Sequence, residues 1–215
     1  MSSVLESIAA VGVVPVVAVD SVEHALPLAD ALLEGGLPVV EVTFRTKAAA
    51  DVIRLLSKER PQLIVGAGTV LSPETVQTAI GCGARFGVAP GLNPRVVKAA
   101  SEAGFPFIPG IATPSEIEQG LELGCRILKF FPAGSIGGAK LLGAFSGPYK
   151  HTGIQFMPTG GVTADNLADY LRLPIVAAAG GTWIAKTADM AEGKWDAVLQ
   201  RCKAAAALVK TIRGA

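Results

Sequence analysis

Two histidines, three cysteines and almost no net charge exclude several kinds of chemistry before any motif is read. The cysteines, Cys82, Cys125 and Cys202, are odd in number and far apart, with no CxxC or Cys/His cluster around them. Neither a disulfide framework nor a zinc site is indicated, and a reducing cytoplasm is the expected compartment. Nineteen basic and eighteen acidic side chains leave a formal charge of +1, which gives no footprint for nucleic acid or an anionic membrane surface. No run approaches the roughly 20 continuous apolar residues of a membrane span. The stretch "MSSVLESIAAVG" has neither the basic start nor the apolar core of a signal peptide. What is present is a chain of 215 residues, half of them hydrophobic, with no linker or low-complexity tract. That is enough for one full core, and a single domain over residues 1–215 is expected.

One rhythm runs along the chain. Apolar, β-branched runs at 13–19, 38–44, 63–69, 85–90, 106–111, 126–133, 154–160 and 175–181 alternate with amphipathic segments. Several of the latter, such as "SPETVQTAIGCG", "NPRVVKAASEAG" and "TPSEIEQGLELG", open on Ser, Asn or Thr followed by Pro and end in Gly. Those are N-cap, N1 and C′ signals. Strand-then-helix alternation implies parallel strands joined by right-handed crossovers. Eight such units predict an α/β fold, a single (β/α)8 TIM barrel, with a short helix over 2–11 closing its bottom. A doubly wound sheet is the alternative, although it usually has fewer strands in a chain of this length.

In such a barrel chemistry gathers at the carboxyl ends of the strands, so polar residues that interrupt apolar strands carry the information. Residues two apart share a face. Glu41, Thr43 and Arg45 are of one parity in the second run; Val65, Ala67 and Thr69 in the third; Ile127, Lys129 and Phe131 in the sixth. Parity therefore permits Glu41, Arg45, Thr69 and Lys129 to converge on the mouth. A structural ion pair between Glu41 and Lys129 is the plain reading, and such pairs are weak contributors to stability. The sharper reading starts from amine chemistry. Desolvation and a neighbouring cation push an amine toward its neutral form, which attacks a carbonyl to give a Schiff base. The iminium is an electron sink, a carboxylate in reach shuttles protons, and a guanidinium fork matches a substrate carboxylate.

The glycine pairs of "PTGGVT" (158–163) and "AAGGTW" (178–183) follow the seventh and eighth runs. There, backbone N–H groups and a helix N-terminus recurrently hold phosphate. "GAGTV" (66–70) lacks the third glycine of a dinucleotide loop, since Leu71 stands at its place. His24 and His151 read as helix or surface residues. Thr113 reads as a strand end or helix cap, and Ser135 as a weak candidate for a polar substrate contact.

In this order, "EVTFRT", "GAGTVL", "APGL", "LKFFPA", "PTGGV" and "GGTW" span nearly the whole chain. Together they resemble the 2-keto-3-deoxy-6-phosphogluconate (KDPG) and KHG/KDPG aldolases, class I enzymes of the Entner–Doudoroff route. The resemblance implies Lys129 as the Schiff-base lysine, Glu41 as general acid/base, and Arg45 with Thr69 on the pyruvyl carboxylate. It implies Pro90 and Phe131 lining the pyruvate pocket, and Gly160, Gly161, Gly181 and Thr182 holding the phosphate. It further implies a homotrimer with neither cofactor nor metal, whose partners are small molecules. Gly134 departs from the family's acid after "FPA", Thr182 from its serine, and Phe44 from its commoner leucine. Two other readings are a phosphosugar isomerase or epimerase using the same phosphate cup, and a trimeric scaffold engineered or repurposed for assembly.

Overall fold

The computed structural model describes residues 3–214. Its strands are β1 (Val13–Val17), β2 (Val39–Thr43), β3 (Ile64–Gly68), β4 (Phe86–Val88), β5 (Phe107–Ile108), β6 (Gly110–Ile111), β7 (Ile127–Phe130), β8 (Gln155–Pro158) and β9 (Ala179–Gly181). The helices are α1 (Val4–Val11), α2 (Ala25–Glu34), α3 (Ala49–Glu59), α4 (Pro73–Gly81), α5 (Pro94–Glu102), α6 (Pro114–Glu122), α7 (Gly138–Tyr149), α8 (Leu167–Leu171), α9 (Thr187–Ala191) and α10 (Trp195–Arg213). The fold is α/β with a curled, all-parallel sheet. Six strands run in the order β5-β4-β3-β2-β1-β9 and three in the order β6-β7-β8.

The fifth apolar run is two strands, and the break has a local cause. Proline has no N–H to give a ladder, and Pro109 sits between β5, which pairs with β4, and β6, which pairs with β7. The following Gly110 lies so close to Pro90 that a Cβ would stand 2.1 Å from its carbonyl oxygen. The eighth run is also shorter than its apolar content suggests. Only residues 179–181 form a strand against β1, while single bridges at Val176 and Gly180 reach Phe156 and Thr159.

The Ser/Asn/Thr-Pro signals form as read. Ser72, Asn93 and Thr113 accept from backbone N–H groups at the starts of α4, α5 and α6, with proline in the first turn. Inside the curl lies a floor of Val14, Val39, Ile64, Phe86, Ile108, Ile127 and Met157, with Ile8 of α1 buried in the same cluster. The larger core lies between sheet and helices. At the bottom, Arg213 ends α10 by donating to the carbonyls of Ala9, Val176 and Ala177. One guanidinium thus ties α1 and α10 to the last sheet run, and a cation at the last turn of α1 complements that helix's dipole.

Candidate active site

Directly above the apolar floor, the next inward-facing layer is charged. Glu41 of β2 and Lys129 of β7 belong to strands that are not neighbours, yet Nζ lies 3.4 Å from Oε1 across the interior. Their side chains are 1% and 7% exposed, which makes this a desolvated pair rather than a surface one. Glu41 Oε2 is buried and has no hydrogen-bonding partner among the described residues. A buried acceptor left empty costs about 1–3 kcal/mol. The site therefore holds unused hydrogen-bonding capacity beside an amine. Phe131 puts its ring 5.3 Å from the ammonium nitrogen, adding a π face that favours the cation.

This pair forms the base of a cavity of about 270 Å³ at the carboxyl ends of the strands. Each of the ten positions singled out in the sequence lines it: Glu41, Arg45, Thr69, Pro90, Lys129, Phe131, Gly160, Gly161, Gly181 and Thr182. Depth sorts them. Glu41 and Lys129 are buried, whereas Arg45, Pro90, Gly161 and Thr182 are exposed at the rim. Val16, Thr43, Thr159 and Val162 also line the cavity and were not among the ten.

Local interactions fix the rim. Thr43 donates its hydroxyl to Val17 O at 3.0 Å and accepts from Arg45 Nε at 3.0 Å. Thr46 donates to Val19 O at 2.7 Å. The turn after β2 is thereby stitched to the end of β1, and the guanidinium is held over the mouth by a threonine sharing Glu41's strand parity.

The third strand is oriented opposite to the parity expectation. Val65 and Ala67 pack outward among the helices. Gly66 and Gly68 face in, where Cβ atoms would stand 2.2 Å from the Phe86 ring and 2.3 Å from Glu41 Oε1. The "GAG" that superficially resembled a dinucleotide loop is a pair of slots, one for a floor residue and one for the carboxylate. Thr69 still reaches the cavity because its φ is +61°. That conformation is strained for a β-branched residue. Thr69→Gly is expected to leave the melting midpoint unchanged or raise it, because relief of about 1–2 kcal/mol of left-handed strain outweighs glycine's added chain entropy. Activity is expected to fall with the lost hydroxyl. A stability loss of more than about 1 kcal/mol on denaturant titration would contradict the strain.

The two glycine pairs differ from expectation in two respects: Gly180 and Gly181 end strand β9 rather than forming a loop of their own, and the helices that follow are short. Helices α8 and α9, which follow them, are five residues long. Of these, α8 begins at Leu167, six positions past Gly161. Loop amides, not helix N-termini, are thus what the loops offer an anion. From behind, Arg201 of α10 fixes the second loop, donating to the carbonyls of Trp183 (3.2 Å) and Ile184 (2.9 Å) while pairing with Asp189 at 2.5 Å.

Other candidates lie elsewhere. Thr113 is committed to a capping box with Glu116. Ser135 is exposed and does not line the cavity. His24 meets the Trp195 ring at a tilt of 58° with centroids 6.0 Å apart, and His151 lies in the 3-10 turn Lys150–Thr152. The three cysteines are free thiols, and burial pushes Cys125 up to about 11 and Cys202 up to about 12. Neither supplies a thiolate nucleophile near neutral pH. Among the described residues no group of three or more His, Cys, Asp and Glu could hold a metal ion, and no helix is long and apolar enough to cross a membrane.

Residues 4–201 match the family described as KDPG and KHG aldolase. The chain belongs to that family. It is therefore a carbon–carbon lyase. It is 45% identical over 195 residues to the 2-dehydro-3-deoxy-phosphogluconate aldolase of Haemophilus influenzae, covering 91% of each chain. It is 44% identical over 201 residues to the KHG/KDPG aldolase of Escherichia coli K12, covering 93% of each. Among solved structures, the KDPG aldolase of Legionella pneumophila, with pyruvate captured as a covalent carbinolamine, superposes with a TM-score of 0.90 at 38% identity. That match covers 94% of this chain and 97% of the other.

Proposed function

We propose that this aldolase uses Lys129 as its Schiff-base nucleophile and Glu41 as its proton shuttle, splitting KDPG into pyruvate and glyceraldehyde 3-phosphate. A second substrate of the same chemistry is 4-hydroxy-2-oxoglutarate. The observation that carries the reading is the buried Lys129–Glu41 pair with its unfilled Oε2, at the base of a cavity open to solvent. In the neutral amine form, Nζ adds to the substrate's C2 carbonyl. The carbinolamine loses water with a proton from the carboxyl, leaving an iminium. Glu41 then takes the C4 hydroxyl proton as the C3–C4 bond breaks, the electron pair flows into the iminium, and the aldehyde departs. The remaining enamine is protonated at C3, and hydrolysis returns pyruvate and the amine. Arg45 and Thr69 hold the carboxylate end, Pro90 and Phe131 wall the pyruvyl methyl region, and Gly160, Gly161, Gly181 and Thr182 receive the phosphate.

The sheet is read as one closed (β/α)8 barrel within a single domain, 1–215. Support comes from counting β5 and β6 as one strand broken at Pro109, and from the bridges that join β8 to the last run. The helix α1, with Ile8 in the floor, is its bottom plug. The homotrimer and the cytoplasmic setting implied by the motifs complete the reading, and a mass measurement in solution decides the first.

Pyruvate release from paired phosphorylated and unphosphorylated 2-keto-3-deoxy acids tests the whole. The phosphorylated member is expected to have at least about a tenfold higher kcat/KM, the worth of a charge-assisted hydrogen bond or two. Equal values would remove the phosphate assignment, and no pyruvate from either acid would remove the substrate assignment.

A further inference from the structure

Gly160 and Gly161 have φ of +84° and +83°, and both their carbonyls are held from outside the loop. The N–H of Gly134 donates to Gly160 O at 2.8 Å. The side-chain amide of Asn166 donates to Gly161 O at 2.9 Å while its Oδ1 accepts from Thr163 N–H at 2.8 Å. In a trans peptide the C=O and the following N–H point in opposite directions, and among the described residues the only cis bond is Phe131–Pro132. Holding the carbonyl of Gly161 therefore aims the N–H of Val162, just as holding that of Gly160 aims the N–H of Gly161. Among the described residues neither N–H has an acceptor within the protein, and both residues line the cavity. One of the two clamps is backbone and indifferent to side-chain identity. The other is Asn166.

Asn166 is also at the N-cap position of α8 without capping it, since its side chain makes no cap hydrogen bond. A residue type favoured at that position for its cap has its side chain turned back onto the glycine loop. We propose that Asn166 is a positioning residue of the aldolase, which aims the Val162 N–H at the substrate's phosphate by holding the Gly161 carbonyl. The inference rests on the reading of the glycine loops as the phosphate site, and adds Val162 N–H to that site's donors.

The experiment compares Asn166→Ala and Asn166→Asp with the parent on KDPG and on its unphosphorylated counterpart, with inorganic phosphate as inhibitor. Alanine removes the clamp. Aspartate keeps the acceptor for Thr163 N–H but sets a carboxylate oxygen against the Gly161 carbonyl and adds negative charge behind the loop. Expected is a KM for KDPG raised roughly tenfold by alanine and further by aspartate, the size of one lost charged-group hydrogen bond. The phosphate inhibition constant should rise in parallel, with kcat and the unphosphorylated KM within about twofold of the parent. Borohydride trapping of pyruvate reports whether the Lys129 site is intact in each variant. Equal losses on both substrates, or an unchanged KM for KDPG, would overturn the inference. A parent enzyme without preference for the phosphorylated acid would overturn the phosphate reading instead, and the inference with it. If the alanine variant fails to fold, Asn166→Ser, whose hydroxyl is too short to reach Gly161 O, carries the same readouts.

Discussion

Replacing Lys129 by alanine is expected to lower kcat/KM by at least about 10⁴-fold, the scale on which loss of a covalent nucleophile is felt. Borohydride reduction with pyruvate should add the mass of a reduced pyruvyl group to the parent and nothing to the variant. Its neighbours make the effect this large. The amine faces Glu41 at 3.4 Å and the Phe131 ring at 5.3 Å, and among the described residues no second lysine lines the cavity. An adduct formed on another lysine, or turnover persisting in the variant, would end the assignment of the imine to Lys129. Stability offers an independent readout. Removing the ammonium leaves a buried Glu41 with neither oxygen partnered, which costs about 3–5 kcal/mol where water is excluded and less where the cavity admits it. Lys129→Met/Glu41→Leu, which removes both charges, is therefore expected to be more stable than Lys129→Met alone in denaturant titration.

The second large effect is at Glu41. Glu41→Gln keeps the size of the side chain and the carbonyl that faces Lys129, but removes the titratable oxygen. Loss of a positioned acid/base is worth about 10²–10⁴ in rate, and kcat is expected to fall within that range. Trapping of pyruvate on Lys129 should still occur, only more slowly, because the nucleophile is intact. This separates the two roles: the lysine variant yields no adduct, while the glutamate variant yields adduct without efficient turnover. A glutamine variant with kcat within threefold of the parent would show that another group, or water alone, moves the protons. Thr43, which holds Arg45 by a 3.0 Å hydrogen bond and lines the same cavity, is the first group to examine in that case.

Readouts at Thr69 and Asn166 address the less obvious parts of the site. Both residues are shaped by backbone rather than side-chain chemistry: one stands in a left-handed conformation, the other aims a peptide N–H. Neither effect leaves a periodic trace in sequence. Asn166 belongs to none of the motifs read there, and Thr69 is the last member of a strand-parity set.

Several properties were determined by the sequence alone. Alternation of apolar runs with capped amphipathic segments determined the strand–helix order, because caps and periodicity are local. Lys129 and Glu41 stood out because charge within a β-branched apolar run is costly wherever it lies. The glycine pair at 160 and 161 marked a loop because only glycine takes positive φ freely, whereas Gly180 and Gly181 lie in β9, where the Thr159 and Trp183 side chains fill the space a Cβ would take. Tertiary structure decided the rest, for reasons of distance and direction. The fifth run became two strands because Pro109 separates the partners on either side. The third strand turned Gly66 and Gly68 inward because the Phe86 ring and the Glu41 carboxylate need the space a Cβ would occupy. That Lys129 and Glu41, 88 positions apart, meet at 3.4 Å depends on the curl of the sheet, and curl is a property of how strands pack rather than of any one of them.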